Sequence, residues 1–492
     1  MTLTSSVCPD VLVLGGGLVG SAVAYGLARE GARVTVLDED DGGFRASRGN
    51  FGLVWIQGKG YGLSPYARWS RSSATRWPLL AEALLKETGV DVALRQPGGF
   101  HFCFNDDELA EREKRLSTLQ AELGDYPYQM LDAAEVRARI PQIGPDVIGA
   151  SYTPMDGHVN PLKLLRGLHT AMQARGVRLV PGERAQRIEP QGDGFIVHGT
   201  RGTYRATRVV LAAGLGNRAL APFVGLNAPV APNRGQVLVS ERVTQFLDYP
   251  TLNVRQTDEG SVQFGDSMEE VGFNDFTTTH VLADIARRGV RAFPLLQHVQ
   301  LVRMWAALRV YTPDGFPIYD QSVKHPGAFV VTCHSGVTLA ARTRCAWRRG
   351  SWADRCQRNC PIFRAPLRAR PRTDSRSLTI DMTSQSTHTL FKPLADAQGT
   401  AAANVDILFN DQPLTVPGGR SVAAALLASG VSRFRATPRF RRTARALLHD
   451  GRVLRMPRRN RRRAEPPELH GGSEGRHADS LAGRRARPAA RD

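Results

Sequence analysis

Gly15, Gly17 and Gly20 form a G-x-G-x-x-G set between an apolar run, DVLVL, and a stretch of small and apolar residues, LVGSAVAYGLAREG. Asp38 closes the next apolar run. Each residue type has a task. Gly15 permits a tight turn, Gly17 lets the backbone approach a pyrophosphate, and Gly20 lets a helix pack closely on a strand. A helix starting here would turn free N–H groups and its positive dipole end towards phosphate. Asp38 stands where a carboxylate accepts hydrogen bonds from a ribose. In this setting the glycines predict a dinucleotide site rather than an incidental turn.

The elements that must position these groups follow from the patterning. Residues 10–38 read as strand, glycine turn, helix closed by Gly31, and second strand ARVTVLD, a βαβ unit. The uncharged run 11–28 has the length of a membrane span, but three consecutive glycines divide it. It also lacks a basic leader and a clear cleavage site, so neither a span nor a signal peptide is expected. A polar, Gly-rich loop (42–60) precedes helices near 66–87 and 106–122, with a short strand at 98–104 between them. The segment 161–180 is a helix-to-strand step, and strands follow at 195–199 and 203–214. Residues 235–240 and 260–265 read as antiparallel strands, and AFVVTC (328–333) as a buried strand running into HSGVTLA.

The net charge of +19 is confined to one part of the chain. Residues 1–340 hold 34 basic and 34 acidic residues, whereas 341–492 hold 31 basic and 12 acidic, all but one of the basic ones Arg. A basic surface over the whole protein is excluded. Six cysteines in 492 residues do not make a disulfide framework, so a reducing cytoplasm is the expected compartment.

RASRGNFG (45–52), GHVNPLKLLRGL (157–168), VVLAAGLGNRAL (209–220), PNRGQVLV (232–239), LRVYTPDGFPIYD (308–320) and CHSGVTLA (333–340) occur in that order. The ordered set resembles the glycine oxidase, sarcosine oxidase and D-amino-acid oxidase family of FAD enzymes. It is most similar to the branch that includes the FAD subunits of opine oxidase, hydrogen cyanide synthase and D-hydroxyproline dehydrogenase. The resemblance implies an α/β fold with two parts. A Rossmann-like FAD-binding domain would come from about 9–90, 150–230 and 305–340. A smaller α+β substrate domain with a mixed or antiparallel sheet would come from about 91–149 and 231–304. It also implies roles. Asp38 and Glu39 would hold the adenosine ribose, and Arg45, Ala46, Ser47, Asn50 and Gly52 would line the pyrophosphate and flavin. Ala185 would meet the adenine, and Ala213 and Gly214 would pass close to the dinucleotide. Gly336, Val337, Thr338 and Leu339 would offer backbone N–H groups to the flavin N1–C2=O edge, where negative charge develops on reduction.

Arg309 falls where the family places the arginine that reads the substrate carboxylate. A guanidinium fork matches a carboxylate bidentately and stays charged. The competing reading is a structural arginine paired with a nearby acid. His334 and Cys333 are expected to be structural, and no metal site is expected. The LRVYTPDG block has no Cys for covalent flavin attachment, so FAD would be held non-covalently. The implied activity is oxidation of the C–N bond of an amino or imino acid, with electrons passing to a quinone, to oxygen or to a 2Fe–2S partner. The implied assembly is a hetero-oligomer with 2Fe–2S and second flavoprotein subunits. No nucleic-acid partner is expected, and contact with a membrane would come only through the electron acceptor.

Beyond Ala340 the texture changes. Residues 341–381 and 439–492 are Arg-rich, lack an apolar period and read as disordered. Residues 382–438 have an ordinary composition and resemble the start of a ferredoxin-like 2Fe–2S subunit. That module needs C-x4-C-x2-C and a distant fourth Cys, and no Cys follows Cys360, so no cluster can form in the chain as written. Codons exist for 447–471 that, read in a shifted frame, spell C-x4-C-x2-C and a further cysteine. Residues 342–364 reread likewise as a continuation opening AHALRLAP, and Met382 then reads as the start of a second gene. This reading makes 341–381 and 439–492 out-of-frame segments joining two adjacent genes. Two alternatives stand beside it: a non-catalytic remnant, and a protein with a basic nucleic-acid-binding tail.

Overall fold

In the computed structural model the described residues are 8–39 and 45–344, together with four short strands, Asn404–Phe409, Gln412–Pro417, Arg435–Ala436 and Thr443–Ala444. The chain divides into two units, Met1–Ser375 and Arg376–Asp492. In the second unit, Asn404–Phe409 pairs antiparallel with Gln412–Pro417. Of the Arg-rich segments, residues 345–381 and all of 439–492 except Thr443–Ala444 lie outside the described residues.

The first unit is built on a six-stranded sheet in the order Ile318–Gln321, Ala328–Thr332, Arg208–Leu211, Val11–Leu14, Val34–Asp38, Arg178–Pro181. All neighbours are parallel except the first pair, which is antiparallel. Its central strands Val11–Leu14 and Ala328–Thr332 are buried along their whole length, as expected of a sheet covered on both faces. One face carries the helices Leu18–Arg29, Pro161–Ala174 and Gly336–Thr343, which share an apolar core with Ser64–Thr88. The other face packs on the three-stranded sheet Ala185–Gln191, Gly194–Gly199, Thr203–Ala206.

Local sequence explains the helix limits. Asn160 caps Pro161–Ala174 by accepting from Leu162 N and Lys163 N, and Pro161 needs no such partner. Asn105 caps Asp106–Leu123, and Asp132 with Glu135 forms a capping box on Ala133–Arg139.

The remaining sheets are antiparallel. One runs Val254–Gln256, Ser261–Phe264, Ala231–Arg242, Leu301–Tyr311, and the other Gly99–Cys103, Gly149–Thr153, Gln129–Asp132. They share an apolar core around Phe100, Phe264 and Phe293. Among the described residues no helix is long and apolar enough to cross a membrane.

Candidate functional site

The glycine turn links strand Val11–Leu14 to helix Leu18–Arg29 at the carboxyl end of the parallel strands. Gly15 has φ +108°, and a Cβ there would stand 2.4 Å from Ala212 O. At Gly20 a Cβ would stand 1.9 Å from Gly15 O, and at Gly17 2.8 Å from Ser47 Oγ. At Gly15 and Gly20 a side chain is therefore excluded by main-chain atoms, whereas at Gly17 it would have to displace the Ser47 hydroxyl. Gly16 N donates to Asp38 Oδ2 at 2.5 Å, and Leu18 N donates to Ser47 Oγ at 2.9 Å. Gly16 O is held by Ser21 Oγ at 2.9 Å and by His169 Nε2 at 2.7 Å. His169 lies 149 residues beyond Gly20, and the motif itself contains no signal for it.

The other expected cofactor residues fall around this turn. Glu183 N donates to Asp38 O at 2.8 Å, which brings the chain to Ala185 beside the end of the Asp38 strand. Ala213 N donates to Asn217 Oδ1 at 2.9 Å, and Gly214 turns the chain with φ +58°. Arg45 pairs with Glu39 at 3.0 Å and bridges to Leu308. Ala46 and Ser47 follow, and Trp305 Nε1 donates to Gly49 O at 3.0 Å, laying this loop against strand Leu301–Tyr311. Asn50 Oδ1 accepts from Gly52 N at 2.7 Å, and Gly52 has φ +91°.

Helix Gly336–Thr343 starts beside the same turn, its Gly336 facing Val19. Its first N–H groups, at Gly336, Val337 and Thr338, have no carbonyl of their own helix to meet. Leu339 N donates back to Ser335 O at 3.0 Å. Thr338 fixes the helix: its Oγ1 accepts from Trp55 N at 3.1 Å, and its carbonyl accepts from Trp77 Nε1 at 3.2 Å.

Arg309 lies on strand Leu301–Tyr311 of the antiparallel sheet, near enough to His334, just before this helix, for its charge to act there. Its Nη1 donates to Ser267 O at 2.7 Å, Asn233 Oδ1 at 3.0 Å and Arg234 O at 3.2 Å, and its Nη2 donates to Asp266 Oδ2. Arg309 is thus held as a fork, but one prong is on an acid of its own chain. His334 is exposed and yet surrounded by protein, so it lines an interior cleft, with its ring 5.1 Å from that of Tyr311. Its depth in the protein, then the charges on Lys59 and Arg309, hold the imidazole neutral, well below its usual range. Cys333 is buried, and burial pushes its thiol up to about 12.

Two features escaped the sequence. Lys59, in the loop read only as polar and Gly-rich, places Nζ 2.5 Å from Ser335 Oγ at the start of the last helix. A buried network lies beneath that loop: Asp156 accepts from Ile56 N at 2.6 Å and from Gln57 Nε2 at 2.9 Å, and Gln57 Oε1 accepts from Arg112 and Ser151. Burial raises the Asp156 carboxyl to about 7. The only advance signal for either was one Lys flanked by Gly58 and Gly60. Among the described residues no cluster of His, Cys, Asp and Glu could hold a metal ion.

The cradle suits a dinucleotide: two glycines where main-chain atoms exclude Cβ, a third between them, a helix N-terminus behind and a carboxylate at the next strand end. Residues 10–343 match the family model described as FAD dependent oxidoreductase. The chain is 45% identical over 334 residues to a subunit of opine oxidase from Agrobacterium tumefaciens, covering 68% of this chain and 90% of that one. It is 25% identical over 342 residues to glycine oxidase of Geobacillus kaustophilus, with the same 68% and 90% coverage. The crystal structure of glycine oxidase from Geobacillus kaustophilus superposes with a TM-score of 0.66 at 24% identity, covering 70% of this chain and 96% of that one.

Proposed function

The chain belongs to the FAD-dependent oxidoreductase family, and from that premise we propose that it oxidises the C–N bond of an amino or imino acid to the imine. FAD, when bound, supplies the hydride acceptor. Gly15, Gly17 and Gly20 would admit its pyrophosphate, with Asp38 and Glu39 at the ribose and Ala185 at the adenine. Arg45, Ala46, Ser47, Asn50, Gly52, Ala213 and Gly214 would complete a non-covalent site, and the helix start at Gly336, Val337, Thr338 and Leu339 would meet the flavin edge.

The observation that supports the substrate reading is the fork of Arg309, held close enough to His334, two residues before that helix, for its charge to act there. A guanidinium already held by Asn233, Arg234 and Ser267 keeps its orientation when a carboxylate arrives. The incoming carboxylate takes the place of Asp266 on Nη2. The neutral His334 adds no further positive charge beside a substrate nitrogen.

The 45% identity to the opine oxidase protein favours an N-substituted amino acid of the opine type, and favours assembly with further subunits that carry electrons onward through an iron–sulfur centre. Residues 382–438 would then be the start of such a partner. Anaerobic bleaching of the flavin absorbance by a panel of opines, D-proline, 4-hydroxy-D-proline and glycine tests the reading. Bleaching by at least one supports it. A flavin-loaded protein that stays oxidised with all of them refutes it.

A further inference from the structure

Lys59 is the cation of the cleft with the least company. Among the described residues its Nζ has one hydrogen-bond partner, Ser335 Oγ at 2.5 Å, and no carboxylate within ion-pair distance. Arg309, by contrast, is paired with Asp266. The groups that face Lys59 come from every element around it. They are Asp156 after strand Gly149–Thr153, Asp266 after Ser261–Phe264, Cys333 and His334 after Ala328–Thr332, and Tyr66 of helix Ser64–Thr88 by way of Ser335.

The loop that carries Lys59 is pinned. Ile56 N donates to Asp156, Ile56 O accepts from Tyr126 Oη at 2.8 Å, and Lys59 N closes a turn on Ile56 O at 2.9 Å. Gly58 and Gly60, both at φ +77°, let the chain double back so that the single side chain between them reaches the cleft. Such a scaffold is a large structural investment for one lysine.

The partner chosen for that lysine matters. A carboxylate would hold it permanently as the ammonium. A hydroxyl both donates and accepts, so Ser335 can accept from the ammonium or donate to the free amine, with Tyr66 Oη at 2.9 Å completing the exchange. Lys59 can therefore be held in one place in either protonation state. Desolvation in the cleft lowers it to about 8, although Cys333, Asp156 and Asp266 pull the other way.

Resting on the amino-acid reading above, we propose that Lys59 takes the proton from the substrate's ammonium nitrogen, so that the amine reaches the flavin neutral. The step breaks an N–H bond of the substrate and forms one on Nζ. FAD, when bound, would supply the acceptor for the α-carbon hydride, and the freed nitrogen lone pair would form the C=N bond of the imine.

Two measurements on the full chain with FAD bound test this. Trace acetylation with acetic anhydride across pH 6–11, read on the Lys59 peptide by mass spectrometry, reports the lysine directly and needs no turnover. A midpoint near 8 supports the proposal, and a midpoint near that of free lysine, about 10.4, overturns it. In anaerobic flavin reduction, Lys59→Met should lower the rate at pH 8 by about 100-fold or more and remove the limb that rises through pH 8. Lys59→Arg keeps the charge but cannot accept a proton and should be as slow. If Lys59→Arg runs within a few-fold of the parent, the side chain acts as a fixed cation and the proposal fails. A parent protein that no substrate bleaches refutes the amino-acid reading, while the acetylation midpoint still judges Lys59.

Discussion

Replacing Arg344 with Ala should make the protein more stable. Arg344 follows helix Gly336–Thr343 and is only 8% exposed. Its Nε and Nη1 are enclosed without a hydrogen-bond partner among the described residues. Its backbone is wedged against the first helix, where a Cβ on Gly26 would stand 2.0 Å from Arg344 O. Two unsatisfied buried donors cost about 1–3 kcal/mol each. Against this, truncation loses the packing of two or three methylenes, at roughly 0.8 kcal/mol each, and a basic residue near a helix C-terminus, worth about 0.3–1 kcal/mol. The mid-points of these terms leave a gain of about 1 kcal/mol, which should appear as a rise of roughly one to three degrees in the melting temperature of purified protein at pH 7. A fall in melting temperature would refute the reasoning, because it would mean that the guanidinium has found partners. The position also bears on the reading frame. In the shifted reading that codons permit for 342–364, positions 342 and 344 would be alanine, the size this helix contact suits. Sequencing the coding DNA settles that point: a frame confirmed without an inserted or missing base removes the frameshift reading.

Four further outcomes are expected. Gly20→Ala drives a Cβ to within 1.9 Å of a backbone oxygen and should abolish flavin retention, read as the flavin-to-protein absorbance ratio. Gly167→Ala, whose nearest neighbours stand at 3.6 Å, should keep the flavin and stabilise its helix by about 0.5–1 kcal/mol. Arg309→Lys retains the charge without the fork and should lower the second-order rate of flavin reduction by about 10- to 150-fold, the equivalent of roughly 1.5–3 kcal/mol. The fourth concerns pH. Asp156 is fully buried and its folded-state value is raised from 3.8 to about 7, so its contribution to stability is complete below about pH 4 and is lost as pH rises towards 7. Asp156→Asn removes that loss while adding a pH-independent cost for the hydrogen bond to Gln57. Relative to the parent it should therefore gain up to about 4 kcal/mol between pH 4 and 7 and nothing further above, as read by urea unfolding. A parent-minus-variant difference that is flat across this range would show that Asp156 stays ionised when folded.

The parts of the site legible in the sequence were those where one residue type answers one backbone requirement. Gly15 and Gly20 are such cases, because any Cβ there meets a main-chain oxygen, and their spacing is set by a local turn. Asp38 was legible because a strand end fixes its place. Lys59 and Ser335 are 276 positions apart, and Gln57 and Asp156 are 99 apart. Their pairing depends on how sheets and loops stack, which no local period records. Arg309 lay between these cases. Its position was readable from family resemblance, but its partner Asp266 sits on a neighbouring turn, and only the folded chain brings the two together.

The net charge of +19 has a sharper meaning where the structure can examine it. Residues 1–340 are neutral overall, and the excess begins after Ala341. Its first two arginines lie among the described residues, and neither forms part of a basic surface. Arg342 stacks on Trp69 with its guanidinium carbon 4.7 Å from the ring, while its backbone N meets Ser73 Oγ at 3.0 Å. Arg344 is shut in beside Gly26 with two nitrogens unmet among the described residues. A tail selected to bind phosphate would begin by turning its guanidinium groups to solvent, where they release counterions from a polyanion. These two turn inward onto apolar helices, at the point where the match to the family ends. Among the described residues this charge is packed against apolar helices rather than presented to solvent, which counts against a nucleic-acid tail and is what an altered reading frame would produce.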